Sequence, residues 1–173
     1  ACLILGGFIQ GQTYLNHDVA WVLNSSERLL AGGTFGHDIV AANPPLIWWI
    51  SALVAGLANW FGVSSILMLR LTVFLAAGVV LIVTERSLRH SMTKAAMSKL
   101  LLLLAFLFTL AVHRDFAQRE HLTVMLCLPW LIVSIRRADG LKQPRFWAIV
   151  AGIAAGIGIA FKPHFLAVPA IVW

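Results

Sequence analysis

Charged residues are scarce in this chain: Asp, Glu, Lys and Arg make up 12% of its 173 residues, while 60% are hydrophobic. Soluble globular domains carry about 25% charged residues and a smaller apolar share. This deficit excludes an ordinary water-soluble domain, because such a chain has too little polar surface to cover its apolar side chains. Lipid is therefore the expected solvent for most of its surface.

Cysteine is nearly absent as well. Cys2 and Cys127 both lie in apolar runs, and neither belongs to a CxxC or Cys/His pattern. This spacing excludes a disulfide framework and a structural zinc site. The six histidines show no HxxxH or HxH spacing, so the sequence indicates a metal only weakly. A divalent ion held by Asp18 or Glu120 remains open, because a metal can neutralise a departing phosphate.

Acidic residues are also few, seven against thirteen Lys and Arg, which gives a formal charge of +6. The basic residues cluster in two loops between apolar runs, 85–99 and 136–145. Such clusters beside membrane spans mark the cytoplasmic side of a bilayer, so no nucleic-acid partner is expected. The links 113–121 and 162–165 are then predicted to face the opposite compartment.

The long apolar runs predict an all-α fold, a polytopic transmembrane helix bundle. A membrane-spanning helix needs roughly 20 mostly apolar residues. The chain opens and stops inside apolar runs, so we expect an N-terminal fragment in which 1–173 forms one membrane domain. Four complete runs qualify as spans, with a partial run at each end: 64–84, 100–112 with its extension 95–99, 122–135 and 146–161. In the last run, Gly152 and Gly156 have the small-xxx-small spacing that predicts close helix packing.

Residues 10–63 are expected to form an outer loop with two interfacial juxtamembrane helices, followed by transmembrane helices over 64–173. The first interfacial helix is predicted over 18–31. Asp18 is a suitable N-cap, and the Gly-Gly pair after the helix is a stop signal. Its apolar stripe is predicted to consist of Val19, Val22, Leu23 and Leu30.

The second interfacial helix is predicted over 45–61 (PLIWWISALVAGLANWF). A double proline suits its first turn and Gly62 suits its end. Tryptophans such as Trp48 and Trp49 favour the headgroup region of a bilayer. An ordinary membrane span is the alternative, but it would place the polar residues 10–43 in the cytoplasm.

Most carboxylates and five histidines fall on the predicted outer side, which is more than loop solvation requires. Asp18 is placed to act as a general base toward a hydroxyl or an amine, although Asp at a helix N-terminus is commonly only a cap. Glu120 and Arg119 stand at the start of a span, where charges are costly unless paired or used. A structural ion pair is the competing interpretation. The five outer histidines are His17, His37, His113, His121 and His164.

Three basic residues at the outer ends of spans suit a phosphate ligand. Arg119 can bind phosphate through two parallel hydrogen bonds. Lys162 ends its span where Pro163 hinders continuation of the helix, next to His164. Arg70 lies near the outer end of an apolar run. Basic side chains at such depths often only extend to the lipid headgroups, and this remains the alternative for Lys162 and Arg70.

Five segments follow one another in a distinctive order. They are an Asp-headed amphipathic helix (DVAWVLNSSERLLAGG), a Pro-Pro-aromatic segment (NPPLIWWISALVAGLANWFG), an Arg heading a span (LMLRLTVFLAAG), an acidic outer link (DFAQREHL) and a Gly-rich span ending in Lys (GIGIAFKPHFLAVPA). This order resembles the N-terminal part of GT-C-type membrane glycosyltransferases, the group that contains protein O-mannosyltransferases and lipid A aminoarabinose transferases.

The resemblance implies two juxtamembrane helices in the first outer loop and transfer of a sugar from a polyprenyl-phosphate carrier with inversion. It implies that Asp18 is catalytic, that Glu120 is the acidic residue of the second outer link, and that Lys162 closes the Gly-rich span. The chain departs from the pattern at two places. Val19 follows Asp18 where many relatives have Glu, and Asn43 precedes the proline pair where some have Lys or His.

We therefore expect an integral-membrane, multi-pass glycosyltransferase of a bacterial inner membrane, with its active site facing the periplasm. The expected partners are a polyprenyl-phosphate-linked sugar donor, a lipid, glycan or protein acceptor, and membrane lipids. Asp18 and Glu120 are the predicted catalytic residues, and Trp48 and Trp49 are expected to border the lipid tail. The predicted substrate-binding residues are Arg70, Arg119, Lys162, His164, His17 and Asn43.

The alternative function is a membrane transporter or a non-catalytic lipid-binding subunit. Transporters tend to place ionisable groups near the midplane of the bilayer on broken helices. The ionisable residues of this chain lie mainly at the ends of the predicted spans and in the outer links. This placement favours an enzyme that acts at the membrane interface.

Overall fold

The structure, a computed structural model, describes residues 2–40, 44–141 and 144–172. Over these ranges the chain is helical, and no β-strand is found in them. The predicted all-α class is therefore confirmed. The helices are α1 (Cys2–Gln12), α2 (His17–Leu30), α3 (Leu46–Phe61), α4 (Ser65–Leu88), α5 (Lys94–Phe106), α6 (Arg119–Ala138), α7 (Arg145–Phe161) and α8 (Ala167–Val172).

In the part of the chain that the structure describes, three helical stretches are long and apolar enough to cross a membrane. They are α4, α6 and Lys94–Ala111, which is α5 continued by a π-helical turn. They correspond to the predicted runs 64–84, 122–135 and 100–112. Helix α7 forms where the fourth run was predicted, but it has only 17 residues. Helix α3 has 16 residues and is about 24 Å long, shorter than a hydrocarbon core of about 30 Å.

Local sequence explains where several helices begin and end. The hydroxyls of Ser64 and Thr93 cap α4 and α5 by accepting hydrogen bonds from backbone N–H groups three residues later. Gly62 ends α3, as predicted, with the left-handed φ of 67° that glycine adopts without strain. The predicted N-cap of α2 was wrong. Asn16 is the cap, because its Oδ1 accepts the N–H of Asp18 at 2.9 Å.

The core follows the contact between α4 and α6. Buried residues recur every three or four positions along α4, as Val73, Ala77 and Val80 show, and this spacing marks one face of a helix. Met125 of α6 is fully buried in the same cluster, which the π-helical turn after α5 completes with Phe108. In lipid these helices would be held together by close packing, because the surrounding acyl chains are as apolar as the core.

The small residues of α7 pack against α6, but on a different face from the one predicted. A Cβ atom added at Gly152 or Gly156 would meet nothing within 4 Å, so the predicted packing through these glycines was wrong. Gly158 lies at the contact, where an added Cβ would be 3.2 Å from Leu126 Cβ. Thr123 Oγ1 also donates a hydrogen bond to the Gly158 carbonyl at 2.8 Å. This hydrogen bond holds against α6 the face of α7 that carries Ala151, Ala155 and Gly158. Both alanines are buried.

Helices α2 and α3 pack against each other. Three residues of the predicted α2 stripe, Val19, Val22 and Leu23, are buried. The fourth, Leu30, is 46% exposed, so it was wrongly assigned to the stripe. Leu29 contributes to the apolar cluster in its place, together with residues of α3.

Helix α1 packs against α4 and α5 at close range. An added Cβ at Gly6 would lie 2.8 Å from Thr109 Cβ, so only glycine permits this approach. The buried Gln10 side chain donates through Nε2 to the carbonyls of Thr109 and His113, at 3.3 and 3.1 Å. The Thr109 carbonyl lies in the π-helical turn and the His113 carbonyl in the short 3₁₀ turn after it, where the regular helical hydrogen-bond pattern is interrupted. Gln10 thus satisfies backbone groups that these turns release.

Candidate functional site

A cavity of about 460 Å³ lies between α2, α3, α4, α6 and α7. Its walls are mostly aliphatic, with Leu69 and Val73 from α4 and Ile153 and Ile157 from α7. The polar residues that line it are Asp18, Ser51, Thr72, Gln118, Arg119 and Glu120. Three predicted site residues, Asp18, Arg119 and Glu120, are therefore brought to one cavity from two helices that are far apart in sequence.

Asp18 lies in the first turn of α2 and borders this cavity. Because Asn16 caps the helix, the carboxylate of Asp18 is not used for capping, and its side chain is 64% exposed. His17 Nδ1 lies 3.7 Å from Asp18 Oδ1, which is too far for a hydrogen bond. The helix dipole favours an anion at this position. An accessible carboxylate beside a cavity meets the geometric requirement for a general base.

Arg119 and Glu120 occupy the first turn of α6, which begins at Arg119. The carboxylate of Glu120 forms an ion pair with the ammonium of Lys162. Arg119 is left without that carboxylate, and its Nη1 is buried without a hydrogen-bond partner among the described residues. A buried N–H group with no acceptor is costly. An anionic ligand in the cavity would supply the missing acceptor.

Lys162 follows the last residue of α7, as predicted. Its backbone leaves the helical conformation, with φ −144° and ψ 87°, and Pro163 starts a short 3₁₀ turn. The side chain of Lys162 extends to Glu120 and is mostly buried. His164 is exposed, and its ring stacks on Phe165 with the ring centroids 4.9 Å apart. Lys162 therefore reaches the site through Glu120, whereas His164 does not line the cavity.

The remaining predicted substrate-binding residues lie elsewhere or outside the described ranges. Arg70 does not line the cavity, since its Nη2 donates to the Thr13 carbonyl at 2.5 Å and its Nη1 to the Gly11 carbonyl at 3.5 Å. It thereby satisfies carbonyl groups at the end of α1. His17 is almost fully exposed. Asn43 lies outside the described residues.

The burial of His121 was not predicted from the sequence. His121 is buried, with its ring beside those of Phe108 and Phe116. Its Nδ1 accepts a hydrogen bond from the Ala117 N–H at 3.1 Å. Ala117 has a φ of 67°, which is unusual for a residue with a side chain. His121 therefore supports the turn before α6, and the neighbouring aromatic residues were the sequence signal for its burial.

Trp48 was expected to border a lipid tail, but its side chain is fully buried. Its ring makes edge-on contacts with Trp21 and Phe35 at centroid distances of 5.5 and 6.2 Å. These contacts hold α2 and the loop after it against α3. Trp49, the next residue, points outward and is 51% exposed. Of these two tryptophans, only Trp49 is placed where it could contact lipid.

The loop after α2 is ordered by Asp38. Its Oδ2 accepts the Thr34 N–H at 2.8 Å, and its Oδ1 lies 3.0 Å from His37 Nδ1. The Thr34 N–H, and to a smaller degree His37, lower the pKa of Asp38 from its usual value. Asp38 and His37, both predicted to face outward, therefore stabilise the loop and do not line the cavity.

Three polar residues of the cavity were not singled out from the sequence. Gln118 precedes α6, Ser51 is on the buried face of α3, and Thr72 is on α4. The hydroxyl of Thr72 already donates to the Met68 carbonyl at 2.9 Å. Short polar side chains within apolar runs were the available signal, but such residues often bond only to their own helix.

The described residues do not form a metal site. Within 2–40, 44–141 and 144–172 no three His, Cys, Asp or Glu side chains converge in a way that could hold a metal ion. Two carboxylates line the cavity, and one of them, Glu120, is paired with Lys162. A divalent ion held by Asp18 or Glu120 therefore stays a prediction, and the reaction proposed for this cavity uses no metal.

Neither a family model, nor a curated protein, nor a solved structure matches this chain.

Proposed function

We propose that this protein is an integral-membrane glycosyltransferase that moves a sugar from a polyprenyl-phosphate-linked donor to a lipid, glycan or protein acceptor. The resemblance in segment order supports this function. The observation that carries it is the buried Nη1 of Arg119, which has no hydrogen-bond partner among the described residues, at a mostly aliphatic cavity that Asp18 also lines. A ligand that is apolar along its length and anionic at one end suits such a cavity.

The proposed membrane placement follows from the candidate spans and from the position of the basic loops. Helices α4 and α6 and the stretch Lys94–Ala111 are the candidate spans, and α7 packs on α6 to complete the bundle. Helices α2 and α3 form the interfacial part of the outer loop. The positive-inside rule assigns the basic loops to the cytoplasm. The cavity end that carries Asp18 then faces the periplasm of a bacterial inner membrane.

The proposed reaction is a direct displacement at the anomeric carbon of the sugar. Asp18 accepts the proton of the acceptor hydroxyl or amine while that oxygen or nitrogen attacks the anomeric carbon. The bond between the anomeric carbon and the phosphate oxygen breaks, and its electron pair stays on the phosphate. The configuration at the sugar is inverted, and the products are the glycosylated acceptor and polyprenyl phosphate.

The basic residues of the site stabilise the leaving group. Negative charge on the phosphate increases as the bond breaks, and donors placed in advance lower the energy of that transition state. Arg119 is the proposed direct ligand of the phosphate. Glu120 holds Lys162 in position through their ion pair, so that the ammonium faces the same phosphate from the end of α7.

The direct test is transfer from a radiolabelled polyprenyl-phosphate-sugar pool in membranes that contain the protein. Asp18→Asn should lower the transfer rate about 100-fold or more, the usual effect of losing a general base. Glu27→Gln is the matched control, because Glu27 is an exposed carboxylate of the same helix that does not line the cavity. It should transfer at the wild-type rate at equal expression.

Two results would contradict the proposal. Equal transfer by wild type and Asp18→Asn would show that Asp18 is not the base. No transfer by the wild type from a broad donor pool would favour a transporter or a lipid-binding subunit. Insertion of each variant is checked separately by the yield of detergent-extracted, monodisperse protein.

A further inference from the structure

A second cluster of buried polar groups lies at the other end of the contact between α4 and α6. Arg136 is only 9% exposed, although the sequence placed it in a basic loop. Thr84 and Ser87 of α4 are also buried. Among the described residues, no hydrogen-bond partner is found for Thr84 Oγ1, Ser87 Oγ or Arg136 Nε. Unpaired buried polar groups are rare in folded proteins and require an explanation.

The polar groups of this cluster belong to one contact between helices. Arg136 Nη1 donates a hydrogen bond to the hydroxyl of Ser91, just beyond the end of α4. Thr84 and Ser87 are three positions apart, so they share one face of α4. That face continues the buried row that includes Val80. Ser91 itself is exposed, so the cluster reaches the molecular surface beside it.

Arg136 has no counter-charge among the described residues. All seven Asp and Glu side chains lie in the described ranges, and none is within salt-bridge distance of Arg136. Glu85 of the facing helix pairs with Arg86 at 3.4 Å. A guanidinium removed from water without an anion is strongly unfavourable. The missing partner is therefore an anion with several acceptor oxygens.

An apolar groove lies on the same faces of α4 and α6 as this cluster, one to two helical turns away from it. It has a volume of about 280 Å³ and lies between α4, α6 and α7. Val83 and Pro129 are among its lining residues. Ser87 follows Val83 by one helical turn, and Arg136 follows Pro129 by about two turns. An apolar groove followed along the same helix faces by a buried cation suits a molecule with an acyl chain and an anionic headgroup.

We propose that Arg136, Thr84, Ser87 and Ser91 bind the phosphodiester of an anionic membrane phospholipid, with one acyl chain in the groove. The phosphate oxygens accept hydrogen bonds from Arg136 Nε and from the unpaired hydroxyls. Exposed basic residues around the cluster favour an anionic headgroup over a zwitterionic one. These basic residues are Arg86, Arg89 and Lys94.

This lipid site is separate from the cavity that contains Asp18. It depends on the proposed membrane placement of the chain, but it does not depend on sugar transfer. The two proposals can therefore fail separately. Asp18→Asn protein should bind the phospholipid like the wild type, whatever its effect on transfer.

The test is native mass spectrometry of the detergent-purified protein with equal amounts of phosphatidylglycerol and phosphatidylcholine. Phosphatidylglycerol adducts should dominate in the wild type. Arg136→Ala should weaken phosphatidylglycerol binding about tenfold, as expected for the loss of a hydrogen bond to a charged group. The matched control is Arg137→Ala, which removes an exposed neighbouring charge and should retain binding.

The paired variant Thr84→Val with Ser87→Ala tests the site if Arg136→Ala does not fold. It removes the unpaired hydroxyls and keeps the charge, so it should weaken phosphatidylglycerol binding severalfold without lowering the Tm of the lipid-free protein. Unchanged binding by this variant, or by a folded Arg136→Ala protein, would overturn the proposal. Equal binding of both lipids would also overturn it. If inorganic phosphate raises the Tm of the protein as much as phosphatidylglycerol does, the ligand is not a lipid.

Discussion

At the scale of single residues, the sequence left Asp18 as both a possible N-cap and a possible general base. In the structure Asn16 caps α2, and the carboxylate of Asp18 is free for the proposed general-base role. Asn16 → Ala should lower the free energy of unfolding by about 1 kcal/mol, the usual cost of losing an N-cap. Asp18→Asn should cost less, because its carboxylate interacts mainly with the helix dipole. Thermal unfolding of the two variants in detergent measures the difference. A larger loss for Asp18→Asn would show that Asp18 is the capping residue after all.

Several residue-level predictions failed for a shared physical reason. Asn and Asp are comparable N-caps, so the cap of α2 was predicted at Asp18, two positions after the residue that forms it, Asn16. Arg70 and Trp48 were assigned to ligand and lipid from their residue types. Their actual partners, the Thr13 carbonyl and the Trp21 ring, are set by tertiary contacts that a single sequence does not display. The start of α6 at Arg119 and the end of α7 before Lys162 needed only local signals, and both were predicted.

At the scale of helices, the contact between α6 and α7 depends on Gly158. Gly158→Leu should destabilise the protein by about 1–3 kcal/mol, the typical cost of overpacking, since an added Cβ would already be 3.2 Å from Leu126 Cβ. Gly156→Leu should have little effect on packing, because nothing lies within 4 Å of its added Cβ. Thermal unfolding in detergent compares the variants at equal helix propensity. Equal destabilisation would place Gly156 in the contact too.

The helices themselves were largely predictable, and the faces they pack were not. Apolar runs located α4, α6 and α7 to within a few residues, because a run of that length and composition has few alternatives. The glycine pattern of α7 offered two faces with small residues, one with Gly152 and Gly156 and one with Gly158. The hydrogen bond from Thr123 to Gly158, across 35 positions, decides between them.

At the scale of the whole molecule, one bundle carries two polar regions along the α4–α6 contact. The region beside Asp18 and Arg119 was predicted from charges at the ends of spans, which are costly unless paired or used. The cavity itself was not predictable, because its walls come from five helices whose packing the sequence does not specify. The burial of Arg136 was also missed, since a basic residue at a helix end is normally exposed.

The most direct test of the central claim is to locate a polyprenyl phosphate that carries a photoreactive group near its phosphate end. We predict crosslinks to cavity-lining residues such as Leu69 and Leu126. The crosslink yield should fall strongly in Arg119→Gln and stay at the wild-type level in the control Arg114→Gln. Arg114 is an exposed residue of the same link that does not line the cavity. Crosslinks confined to exposed residues outside the cavity, such as Leu53, would contradict a lipid-phosphate site in this cavity. Equal crosslinking in both variants would contradict it too.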